Sequence, residues 1–204
     1  SLTSNPEVVK VSTTDIFEEQ LLAYLTAGRQ HLESEYAKKV TLSEYDDQGK
    51  LRTIVEAFQR YKSIEVDHLR LGKRKLPEHL VIKTTQNTFV VGFLYATGIS
   101  FTARLKNFNE LVVQHKDYRF RICRDCREPK ITGKVALDEI EKLSNAPNGN
   151  FYLMEQADRI NYELLYKLII DIQNKDLEID LVKALQVVES QYLRAFWLIA
   201  IFRH

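Results

Sequence analysis

Two clusters of cations carry the clearest chemical signal in the chain: Lys73, Arg74 and Lys75 after Gly72, and Arg119, Arg121 and Arg124 in an alternating run. Such groups suit phosphate, because a guanidinium pairs bidentately with phosphate oxygens and each contact releases a condensed counterion. Both clusters lie in residues 60 to 134, which hold 16 of the 29 Lys and Arg but only 7 of the 28 Asp and Glu, a formal charge of +9. The flanks carry −4 each, so the whole chain sums to +1. A local field of this kind attracts polyanions that net charge alone would not announce. The competing account is a solvated strand face on which Arg124 and Asp125, or Arg127 and Glu128, satisfy one another.

Carboxylates offer a second chemistry. Glu65 and Asp67 stand two residues apart and share a strand face, so these carboxylates can jointly bind a metal ion. An exposed acidic strand face explains the same spacing. Cys123 and Cys126 form one Cys-x-x-Cys, and His31, His68, His79, His115 and His204 show no spacing that would complete a zinc site. Incidental or structural thiols are the expectation, since Pro129 and Gly133 interrupt the helix that redox chemistry would need. Gly92, Gly98 and Gly133 compose no phosphate loop or dinucleotide fingerprint, and Ser100 lacks a Gly-x-Ser-x-Gly setting. No cofactor is expected, with Mg or Mn entering only under a nuclease reading.

These groups must be positioned by a succession of helices and strands. Thr13, Thr14 and Asp15 offer N-cap oxygens to a helix striped by Ile16, Phe17, Leu21, Leu22 and Leu25, with Gly28 as its stop or weak point. Asp46-Asp47-Gln48-Gly49 reads as a polar turn before the amphipathic helix of Leu51, Ile54, Val55, Phe58 and Tyr61. The period then changes. Ile64 and Val66 begin one strand, 80–85 form a second, and the apolar run 88–97 suits an interior third. A helix from Ser100, a strand at 118–123 with Tyr118, Phe120 and Ile122 inward, a helix at 134–143 and a strand at 151–154 follow. Two helical stripes close the chain, Ile160 to Ile172 and Leu181 to Ile199.

The expected fold is α/β: a mixed sheet with a three-strand meander followed by helix-strand units, flanked by N- and C-terminal helices. The strand at Tyr118 should run parallel to the one before it. At 204 residues a single domain is expected, with a helical lead-in at 1–62, an α/β core at 63–155 and C-terminal helices at 156–204. Ser1-Leu2 reads as a cloning remnant and the chain as a possible fragment of a longer protein. No apolar run reaches the roughly 18 residues of a membrane span and no signal peptide is legible, so a cytoplasmic protein is expected.

A leading helix, a three-strand meander, a helix and a fourth strand, over roughly residues 50 to 155, resembles the restriction-endonuclease-like core, including versions appended to ATPases in DNA-maintenance and defence systems. The resemblance implies an acid at the second strand and an acid-x-Lys on the third. Leu80-Val81-Ile82-Lys83-Thr84-Thr85 and Phe89-Val90-Val91-Gly92-Phe93-Leu94-Tyr95 lack both. An alternative register pairs Asp67 with Val81-Ile82-Lys83 but leaves one ligand short. The expected function is therefore a non-catalytic nuclease-like module that binds DNA or positions a partner, such as an ATPase domain. A metal-dependent nuclease using Glu65, Asp67 and Lys83 is the first alternative. An interaction domain or homo-oligomer is the second, because the segment around Phe196, Trp197 and Ile199 is apolar on nearly every side and needs covering.

Overall fold

The computed structural model describes residues 13–38, 41–67 and 74–203, with side chains from Ile16 onward. Its elements are α1 (Thr13–Tyr36), α2 (Glu44–Phe58), β1 (Glu65–Asp67), β2 (Glu78–Lys83), β3 (Thr88–Phe93), α3 (Gly98–Gln114), β4 (Tyr118–Asp125), α4 (Lys134–Asn145), β5 (Gly149–Met154), α5 (Gln156–Gln173), α6 (Leu181–Val187) and α7 (Trp197–Phe202). The strands form one sheet in chain order, β1-β2-β3-β4-β5. β1, β2 and β3 pair antiparallel, whereas β3, β4 and β5 pair parallel, as crossover helices require. The expected mixed α/β sheet with flanking terminal helices is the observed fold.

Helices cover both faces. Leu80, Ile82, Val91, Phe93, Cys123 and Met154 pack toward α1, α2, α5, α6 and α7. Val81, Val90, Phe120 and Ile122 pack toward α3 and α4. The alternation at β4 therefore does not separate core from solvent: Arg119 and Arg121, expected to face outward, lie on the α5–α7 side. With two covered faces, strand periodicity sorts residues between cores.

Three local expectations change for identifiable reasons. Gly28 does not stop α1; it is buried where α1 crosses α5, and a Cβ there would stand 2.8 Å from Leu164 Cδ1. Asp46-Asp47-Gln48-Gly49 is not a turn but the first turns of α2, because Ser43 Oγ accepts the Asp46 N–H at 3.2 Å and acids suit the positive end of a helix. The stripe from Leu181 to Ile199 is not one helix. A π-helical turn, Val188–Tyr192, closes with Leu193 N–H donating to the Val188 carbonyl at 2.9 Å and resets the face that α7 presents.

That reset covers the apolar C-terminal segment within the chain. Leu198, Ile199 and Phe202 are fully buried, and Phe202 stacks on Phe58 with ring centroids 4.3 Å apart. Lys62 ties the end of α7 down, donating to the Phe202 carbonyl at 2.6 Å and pairing with Glu189 at 2.6 Å.

Candidate anion-binding cleft

At the carboxyl ends of the parallel strands, one guanidinium gathers charges from three elements. Arg159 of α5 pairs with Asp47 of α2 at 2.8 Å, with Asp125 of β4 at 2.9 Å and with Glu163 of its own helix at 3.1 Å. Tyr95, just beyond β3, donates to Asp47 Oδ2 and accepts from Arg159 at 3.0 Å. Tyr162 donates to the Asp47 backbone carbonyl at 2.5 Å. Asp47, Asp125 and Arg159 are buried to within 3% of full exclusion. Burial opposes the charge on Arg159, but the Asp47 hydrogen bond and surrounding negative charge outweigh it and raise its pKa above the ordinary arginine value. This crossing point holds four elements in register, and a paired, hydrogen-bonded network is what makes such burial tolerable. Its members are far apart in sequence and Asp47 reads there as part of a polar turn, so no local signal pointed to it.

Burial likewise opposes ionisation of Asp125. Hydrogen bonds from the Arg127 side chain and backbone N–H, together with the charge of Arg159, overcome it and hold the carboxyl below its usual range. A depressed folded-state pKa stabilises the protein above the unfolded value, near 3.9, and that stabilisation is lost as pH falls through the folded value. Thermal unfolding from pH 6 down to about pH 2.5 should thus show a steep acid limb in the parent chain and a shallower one in Asp125→Asn, which starts from a lower melting temperature. Equal acid slopes would remove Asp125 from the account.

The residues of the nuclease alternative, Glu65, Asp67 and Lys83, fall on one sheet face. Glu65 and Asp67 share a face of edge strand β1, with Glu65 opposite Lys83 and Asp67 opposite Val81. Among the described residues, no group of three or more His, Cys, Asp or Glu side chains is placed to hold a metal ion. This face is the α3–α4 side, to which Val81 belongs, whereas Arg121 lies opposite Val91 on the α5–α7 side. Asp67 and Lys83 consequently share one layer, and Arg121 points into the other. The cysteines also separate: Cys123 is buried, which pushes its thiol up to about 12, while Cys126 is exposed with its Sγ 3.4 Å from Tyr36 Oη.

The expected cations divide as well. Lys73 lies outside the described residues. Lys75 is exposed and Arg74 pairs with Glu110 of α3, while the Lys75 carbonyl accepts from Asn107 at 2.8 Å, so this turn belongs to the α3 side. Arg124 does not bind at the surface. It is 2% exposed, and its guanidinium donates to the carbonyls of Leu94, Ala96 and Pro129 at 3.0, 3.0 and 2.6 Å, stitching the β3–α3 connection to the loop after β4. The two cation clusters read from sequence thus divide into separate groups on opposite faces, and within β4 the pleat sends Arg124 the other way from Arg121.

Arg119 and Arg121 remain together. They line a cleft of about 290 Å³ between the amino-terminal halves of β3 and β4, the 147–150 segment and α7, with Phe89, Val91, Trp197 and Ile201 as apolar walls and no acid among its lining residues. The Arg121 guanidinium lies against two adjoining rings, 4.7 Å from the Tyr152 centroid and 4.6 Å from that of Trp197. Its Nη1 is buried without an acceptor, as is Trp197 Nε1. Cation–π contact holds the guanidinium in place without using its hydrogen-bonding capacity. Of the expected partner-binding residues, Phe196 and Ile199 are therefore core, and Trp197 is half-buried against Arg121. The most open large apolar side chains among the described residues lie elsewhere, at Ile99, Tyr45 and Val113.

No family model matches the chain, and no curated protein is similar to it. Among the described residues, no helix is long and apolar enough to cross a membrane.

Proposed function

We propose that the chain is a non-catalytic, nuclease-like α/β module that binds nucleic-acid phosphates in the cleft between β4 and α7. The observation carrying this reading is the pair of same-face arginines in an acid-free cleft, one of them held against two adjoining rings with a buried N–H unsatisfied. A buried donor without an acceptor is costly, and an anionic ligand would relieve it. The nuclease-like part draws support from α2 followed by two antiparallel pairings, a helix and a parallel pairing. The non-catalytic part draws on β3, which carries no carboxylate, and on Arg159, which neutralises the buried acids nearest the strand ends. Positioning of an ATPase partner would follow from the resemblance; nucleic-acid binding is what the cleft favours.

Fluorescence anisotropy with labelled single-stranded DNA between about 50 and 200 mM salt tests the reading. Binding should weaken with salt at a slope of roughly −0.7 per phosphate contact, and Arg119→Ala should remove about one contact's worth of slope. Absence of binding at the low-salt end, with the protein folded, rejects it.

A further inference from the structure

We propose that the β4–α7 cleft takes a terminal phosphomonoester on a nucleoside, as at the phosphorylated end of a single strand, and not the internal phosphates of a duplex. This rests on the nucleic-acid reading above but narrows its ligand by shape and charge. The cleft, about 290 Å³, is at the lower end of small-molecule pockets and suits one nucleotide. Arg121 lies on an inner sheet face beneath α7, half-buried against Tyr152 and Trp197. A duplex presents its phosphates on a convex cylinder and cannot bring them under a helix, whereas a chain end can enter.

Charge argues the same way. A phosphomonoester carries close to two negative charges and three strong acceptor oxygens near neutral pH, against one charge for an internal diester. Arg119 and Arg121 stand two residues apart on one face, so about 6.6 Å of strand separates their Cα atoms, within reach of one phosphate for two long side chains. Neither makes an ion pair or hydrogen bond among the described residues, and Asn150, the register partner of Arg121, adds an exposed amide to the rim. Phe89, Val91 and Ile201 leave an apolar wall for the attached sugar and base.

Trp197 is the chain's sole tryptophan, so its emission reports directly on the cleft. Titration with a short oligothymidylate bearing a 5′-phosphate, a 3′-phosphate or two hydroxyl ends, with the same strand in blunt duplex, and with thymidine monophosphate compares the candidates. At least one phosphorylated strand should bind about tenfold tighter than the hydroxyl-ended strand, and Arg119→Ala, which disturbs no packed contact, should abolish that preference. Anisotropy supplies a second readout for Arg121→Ala, whose loss alters the tryptophan's surroundings. Equal affinity for phosphorylated and hydroxyl ends overturns end recognition while leaving nucleic-acid binding standing. Tight binding of the mononucleotide with none of any strand supports the phosphomonoester site and instead removes the nucleic-acid reading. Silence toward every probe overturns both.

Discussion

Replacing Arg159 by methionine is expected to lower the unfolding free energy by about 3–5 kcal/mol, roughly 6–20 °C in melting temperature for a chain of this size. The side chain is 3% exposed and answers Asp47 and Asp125, both buried, from helix α5. Without it those carboxylates face each other's elements with no cation between them. Arg127 still holds Asp125, but Asp47 keeps only neutral donors, so the penalty is that of a buried charge stripped of its partner. Urea denaturation measures the loss. Combining Arg159→Met with Asp47→Asn and Asp125→Asn should recover part of it, since well-packed neutral groups can replace a buried ion cluster at little cost. If Arg159→Met loses less than about 1 kcal/mol, the network is not the clasp described above.

Phe202→Ala should cost a comparable 3–5 kcal/mol locally, through release of α7 more than collapse of the whole fold. Phe202 is fully buried, stacked on Phe58, and closes the six-residue α7. Such a segment opens as a unit once opening becomes cheaper than keeping a cavity. Trp197 begins the same helix and roofs the Arg119–Arg121 cleft, so its emission should shift to the red and its quenching by acrylamide should rise while far-ultraviolet circular dichroism changes little. Binding of phosphorylated strands should fall with it. Unchanged Trp197 emission in the variant would show that α7 is held by contacts other than Phe202.

These outcomes bear on how a positive middle segment becomes a site. The sequence places Arg119, Arg121 and Arg124 in one alternating run, yet two of them reach the cleft side and the third is spent holding backbone carbonyls on the opposite face. Similarly, the apolar residues around Phe196 and Ile199 read as a surface in search of a partner until the π-helical turn folds them into their own chain.

The sequence by itself determined the α/β class, the order of strands and helices and the parallel placement of β4, because hydrophobic period and turn chemistry are local properties. It also identified the basic middle segment and the missing acid of β3. Only tertiary structure decided which face each β4 arginine occupies, that Asp47 begins a helix and meets Arg159, and that Trp197 closes over Arg121. Those outcomes depend on residues more than a hundred positions apart in the case of Asp47 and Arg159, and on both sheet faces being covered, so neither spacing nor charge along the chain contains them.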